Sequence, residues 1–293
     1  DRTKKLTTVT PTLKAPKAGP TKATAATGAE AVASASAAAQ KYQQQLMQIP
    51  EMKSYGSLLK SSLVVELTES ETEYVVSVIK HVFKEHIVLQ YEVKNTLPDT
   101  VLEDVSVVAT PAEEEELEED FIIPAAKLAT NEPGTIYVSF KKANGEASFP
   151  TSSFTNVLKF TTKEIDPTTG EPEETGYDDE YEVEALELTG SDYVVPAFAG
   201  NFSHIWEQVG ANGEEAEETL QLSGVKSIAG TLPHSNGSNP STNLVDVDAT
   251  EQLARTLSLQ ALEGTDVPVS TTTHTLKLFG KTVTGGRIAA NIR

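Results

Sequence analysis

The chain has 293 residues, no cysteine and a formal net charge of −20 at neutral pH. That length supports two domains with cores of their own. The lack of thiols excludes a disulfide framework or a thiolate zinc site, and fits a reducing, intracellular compartment. No apolar run is long enough to span a bilayer, and no secretory signal pattern opens the chain. Beginning at Asp1 rather than Met, it reads as a fragment of something larger.

The charge is unevenly spread. Residues 1–60 hold nine Lys or Arg against three Asp or Glu, a net +6, which leaves −26 for the rest. A body that acidic repels phosphate, which argues against its direct binding to nucleic acid or an anionic membrane. The hydrophobic fraction of 38% is low and points to a part of the chain outside any core.

Residues 1–27 mix Lys, Thr, Pro, Ala and Gly without periodicity, as a flexible linker does. Propensity predicts a helix from Ala31 to Met47, stopped by Pro50, without a wide apolar face. The expected linker therefore runs over 1–60 and includes this short helix.

Strand texture begins near Ser62. Glu73 to Phe83 is β-branched and aromatic, and Ile87 to Lys94 alternates. After a turn over Asn95 to Asp99 come Val101 to Ala109, Phe121 to Ile123, Thr135 to Phe140, Ser153 to Thr162 and Tyr181 to Leu188, with Gly134 and Lys142 to Gly145 as hairpin punctuation. Such a series predicts an immunoglobulin-like antiparallel β-sandwich over 61–190. The acidic runs Glu113 to Asp120 and Asp166 to Glu184 read as solvated loops, since neither has the ligand spacing of a Ca²⁺ site.

Residues 191–293 have mixed character and predict a small α+β platform, its terminal strand missing after Arg293. Strands are expected over Glu217 to Leu222, Thr273 to Phe279 and Arg287 to Ile292. A helix is expected from Asp248 or Thr250 through Leu257, with Leu253 and Leu257 on one face. The most distinctive stretch is Asn201 to Val209, which contains the only tryptophan. Asn201 can cap a helix on which Phe202, Ile205, Trp206 and Val209 fall at i, i+3, i+4 and i+7, with Gly210 at its end. Trp206 is then either the core anchor of this short helix or the floor of a binding pocket, tryptophan being prominent among interface hot spots.

No catalytic constellation, cofactor fingerprint or metal-ligand set emerges. Gly280-Lys281-Thr282 resembles the end of a P-loop, but Thr275 stands where the first glycine is required. Asp246-Val247-Asp248 begins like an EF-hand loop, but Glu251 takes the glycine position. No serine sits in a nucleophile elbow, and none of the five histidines pairs at ligand spacing. An enzyme using the acidic loops for a metal is the rival from another class, and bound divalent metal would favour it.

Several unusual segments occur in an order that resembles the appendage, or ear, domain of coatomer gamma subunits. They include Leu67 to Val75 with Lys80-His81, Asn95 to Leu97, Asn131 to Gly134, Asp166 to Gly170 with Gly176-Tyr177, Asn201-Phe202 with Trp206-Glu207, and Thr273 to Leu276. The resemblance covers about residues 41 to 293. It implies a non-enzymatic component of the COPI vesicle coat in Golgi-to-endoplasmic-reticulum and intra-Golgi transport, at the cytosolic face of Golgi membranes and coated vesicles. Membrane contact would be indirect, through the coat. The implied partners are other coatomer subunits, accessory proteins carrying short peptide motifs, and an Arf GTPase-activating protein. The implied partner-binding residues are Trp206, Phe202 as its support, and Arg287 and Arg293 on an adjacent strand. An architectural role, docking onto another coatomer subunit, is the alternative.

Overall fold

Alternating apolar side chains with one face to bury drive much of the described chain into antiparallel sheets. The computed structural model describes residues 39–113, 115–210, 249–267 and 274–293. Helix α1 spans 39–46, and a 3-10 turn follows at Pro50–Tyr55. The first ten strands are β1 Lys60–Ser61, β2 Val65–Glu66, β3 Tyr74–Val82, β4 His86–Asn95, β5 Thr100–Pro111, β6 Leu117–Ile123, β7 Ala125–Leu128, β8 Pro133–Lys142, β9 Ser152–Glu164 and β10 Tyr177–Leu188.

They form two sheets, β3-β4-β8-β6 with β1 and β2 both on β3, and β10-β9-β5-β7. This is a two-sheet sandwich in the immunoglobulin manner, with one strand passing from the first sheet to the second at Pro124, between β6 and β7. Inward side chains from both sheets, among them Val76, Val78, Leu89, Tyr91, Val107, Phe140, Phe154 and Leu158, make one core.

Asn95 makes the expected turn by accepting from the Leu97 amide at 3.0 Å and donating to the Thr100 carbonyl at 3.2 Å. Gly134 is not hairpin punctuation. It lies within β8 opposite Val93, where a Cβ would meet Leu128 Cδ2 at 2.1 Å. Its lack of a side chain allows the two layers to close there.

The expected linker does not extend to residue 60. Leu46, Met52 and Tyr55 are buried against Phe83 and Val88 on the outer face of the sandwich. The Tyr55 hydroxyl donates to Asp120 Oδ2 at 2.5 Å and lies 2.7 Å from Ser139 Oγ. The Tyr55 ring stacks on His86 at 3.7 Å. Three large apolar residues in ten suffice to fasten this arm, a pattern too sparse to register as an apolar face. The acidic runs are likewise only partly loops, since β6 includes Glu118 to Asp120 and β10 starts at Tyr177.

The C-terminal layer comprises β11 Val194–Pro196, α2 Phe202–Gly210, α3 Ala249–Thr256, β12 Gln260–Ala261, β13 Leu276–Thr282 and β14 Arg287–Ile292. β13 is its axis. It pairs with β14 along one edge and with β11 and β12 end to end along the other. Leu276, Leu278, Ile288, Ala290 and Ile292 form one face with Val194, Leu259 and the Leu253 side of α3. Phe279 and Ala289 form the other with α2. Leu257 does not join the buried face of α3 as expected; it lies beyond the helix end and is exposed. The expected helix start near Ala31, the linker core 1–27 and the strand over Glu217 to Leu222 lie outside the described residues.

Candidate partner-binding site

α2 is a short helix that rests on a sheet, and its residues divide by direction. Asn201 caps it as expected, its Oδ1 accepting from the His204 amide at 3.1 Å. A second acceptor comes from outside: Glu263 Oε1 takes the Phe202 amide at 2.8 Å. Phe202 and Ile205 are buried against Leu262 and Phe279, with Val209 partly so. Trp206 belongs to the same stripe but lies at its edge, and its side chain is 41% exposed. Its ring is 5.6 Å from that of Phe202, tilted by 32°. The indole thus presents an apolar face to solvent over a fixed aromatic support.

Lys277 completes the surroundings. It projects from β13 on the α2 side, its Nζ 5.7 Å from the Phe202 ring centroid and 2.6 Å from Glu263 Oε2. The Lys277 hydrogen bond, joined by the Phe202 amide, holds the Glu263 carboxyl below the usual carboxylate range. The result is a positive group and a fixed carboxylate at the N-terminal end of α2, next to the aromatic pair. Lys277 was missed in the sequence. Its only signal was alternation, which puts it on the Phe279 face of β13.

Of the two arginines, Arg287 opens β14, the strand beside α2, and Arg293 follows its end. Arg287 donates to Gln208 Oε1 at 2.9 Å, and Gln208 Nε2 lies 2.7 Å from His204 Nε2. Gln208 and Trp206 are two residues apart, so they leave the helix roughly 200° from each other. Arg287 therefore stands on the flank of α2 away from the indole. Arg293 is exposed one residue past β14, at the opposite end of that strand from Arg287, about 20 Å away at the usual rise per residue. No single ligand side chain on Trp206 can meet both.

A shallow groove of about 460 Å³ elsewhere is lined by Asp104, Lys159, Asp178, Asp179 and Glu180. Despite its carboxylates, no three His, Asp or Glu side chains converge as a metal site among the described residues. No described helix is long and apolar enough to cross a membrane.

Residues 40–189 match the family described as "Coatomer gamma subunit appendage platform subdomain", and residues 242–293 match "Coatomer subunit gamma-1 C-terminal appendage platform". The chain is 40% identical over 249 residues to the probable coatomer subunit gamma of Schizosaccharomyces pombe, covering 85% of this chain and 25% of that protein. It is 39% identical over 240 residues to human coatomer subunit gamma-2, covering 82% and 25% respectively. Against the Saccharomyces cerevisiae coatomer subunit gamma it is 36% identical over 261 residues, covering 87% and 25%. The chain spans about a quarter of the length of these relatives. Among solved structures, the yeast GGA1 GAE domain is similar at a TM-score of 0.29 and 8% identity, over 43% of this chain and 99% of that one. The chain belongs to the coatomer gamma subunit appendage family.

Proposed function

We propose that this appendage is a non-catalytic recruitment module of the COPI coat, working at the cytosolic face of Golgi membranes and vesicles in Golgi-to-endoplasmic-reticulum and intra-Golgi transport. It consists of a linker up to the start of the packed arm, a sandwich, and a platform that carries the binding site. Accessory proteins with short peptide motifs, an Arf GTPase-activating protein among them, dock on Trp206 with Phe202 beneath it. The half-exposed indole on a buried phenylalanine carries this reading. Large apolar area held at low entropy cost is what a binding anchor requires. Single sites of this kind bind weakly, and repetition in an assembled lattice strengthens them.

The test is a pull-down from cytosol with the wild-type chain and Trp206→Ser. Loss of the Arf GTPase-activating protein from a folded variant supports the module. If the folded variant retains that protein and loses other coatomer subunits, α2 is an architectural contact within the coat.

A further inference from the structure

The sandwich and the C-terminal layer meet at two consecutive residues. Tyr193 is buried in the sandwich core and its hydroxyl donates to the Pro150 carbonyl at 2.7 Å. Val194, the next residue, is buried in the core of the C-terminal layer. Apart from Tyr193, Val283 is the residue of the C-terminal region that packs on the sandwich core among the described residues. Its amide donates to the Tyr193 carbonyl at 2.8 Å. So narrow an apolar contact leaves the angle between the two units to polar groups.

One such group dominates. Lys60, on the short strand β1, extends its ammonium to the Ser191 carbonyl at 2.7 Å, the Val194 carbonyl at 2.5 Å and Ser258 Oγ at 3.0 Å. These acceptors lie before the junction, at it, and just past α3. Three acceptors match the three donors of an ammonium. Beside it, Lys80 donates to Asp192 Oδ2 at 2.6 Å and to the Glu187 carbonyl at 2.7 Å. Asp192 Oδ2 also accepts from the Thr189 amide at 2.8 Å, which fixes the turn whose carbonyls Lys60 grips. Burial lowers Lys60 to about 8, with Asp192 opposing the shift.

We propose that Lys60 is a positioning residue that fixes the orientation of the Trp206-bearing layer relative to the sandwich, by joining both sides of the 193/194 junction through one ammonium. The inference is independent of which partner Trp206 takes. Without the ammonium, three oxygens lose their common donor and the junction turns about the extended backbone at Val194, whose φ is −109°.

The chain has no cysteine, so two introduced thiols can be spin-labelled selectively. Thr155→Cys on the sandwich and Gln252→Cys on α3 are both exposed and report the distance between the units. Thr155→Cys with Glu132→Cys reports a distance within the sandwich. With wild-type Lys60 the inter-unit distance distribution is narrow. Lys60→Met broadens or shifts it while the distance within the sandwich stays as it was, and Ser258→Ala gives a smaller change of the same kind. An unchanged inter-unit distribution in Lys60→Met overturns the proposal. Should that variant fail to fold, an unchanged distribution in Ser258→Ala overturns it instead.

Discussion

Phe202 and Trp206 lie one helical turn apart with their ring centroids 5.6 Å from each other, yet Phe202 is 4% exposed and Trp206 is 41% exposed. The same stripe of α2 therefore gives two separable expectations, one for folding and one for the proposed binding. Truncating Phe202 to Ala removes a ring packed against Phe279 and Leu262, and such losses cost about 3–5 kcal/mol of stability. Trp206→Ser loses less folding energy, because much of its surface is already in water. Its cost falls on partner affinity instead, about 2 kcal/mol or more, roughly thirtyfold or more. Denaturant unfolding of both variants, followed by far-ultraviolet circular dichroism, checks the division. Equal destabilisation by both would show that the indole belongs to the core.

A buried histidine makes the sandwich sensitive to acid. His81, on β3, is fully buried between Ser61 Oγ, 2.8 Å from its Nδ1, and Gln90 Oε1, 3.0 Å from its Nε2. The Gln90 amide nitrogen donates to Glu92, which turns its oxygen toward His81; Nε2–H is thus the donor, and Nδ1 accepts from the serine. Burial lowers His81 to about 4 from an ordinary 6.5, and it lowers His86 as well. Between those two values the unfolded chain binds more protons, so stability is lost as pH falls from 6.5 toward 4. The contribution of His81 is on the order of 3 kcal/mol across the window. Melting temperatures of wild type and His81→Gln over that range provide the check. The variant should start lower and show the shallower slope; parallel slopes would assign the acid sensitivity to other groups.

The packed arm before the sandwich gives a third expectation. Met52 is fully buried against Leu46 and Phe83, so Met52→Ala should cost about 2–5 kcal/mol. Tyr55→Phe should cost about 1–3 kcal/mol, by leaving the buried Ser139 hydroxyl without its partner, while the exposed Asp120 carboxylate turns to water. Amide exchange is the direct measurement. Met52 and Leu59, whose amides donate at 3.1 Å and 2.9 Å, should exchange slowly in the wild type and faster in both variants. Fast exchange of both amides in the wild type would mean that the arm is not fastened in solution.

The long strands were readable because β-branched and aromatic residues alternate over many positions, as in β4. The capped stripe of α2 was readable for a similar reason. What could not be read was structure imposed from elsewhere. β11 and β12 have three and two residues, and they exist as strands because β13 offers an edge to each. β7, of four residues, likewise exists because β5 offers it an edge. Periodicity defined the apolar stripe of α2 without saying which of its members the sheet below would leave uncovered. It also could not show that Arg287 is taken up by Gln208 while Lys277 stands beside the aromatic pair. These depend on packing between elements distant in sequence.

The last prediction concerns Gly280, the residue of β13 that pairs with Pro196 of β11. A Cβ at this position would lie 2.6 Å from Leu259 Cδ2, 3.0 Å from the Val195 carbonyl oxygen and 3.2 Å from Val194 Cγ1. The leucine end can move, but the carbonyl belongs to the strand that pairs with Gly280 through Pro196 and cannot retreat without breaking that ladder. Overpacking of this kind costs about 1–3 kcal/mol for Gly280→Ala and more for Gly280→Val. The strain falls within the core formed by Val194, Leu259, Leu276 and Leu278 and leaves the sandwich core untouched. Trp206 is the only tryptophan in the chain, so its emission reports the C-terminal layer, while circular dichroism is dominated by the sandwich strands. In Gly280→Val the fluorescence transition should come at lower denaturant than the circular dichroism transition, which for two separate cores is the expected breakdown of two-state behaviour. Coincident transitions in this variant would mean that the two layers unfold as a single cooperative unit.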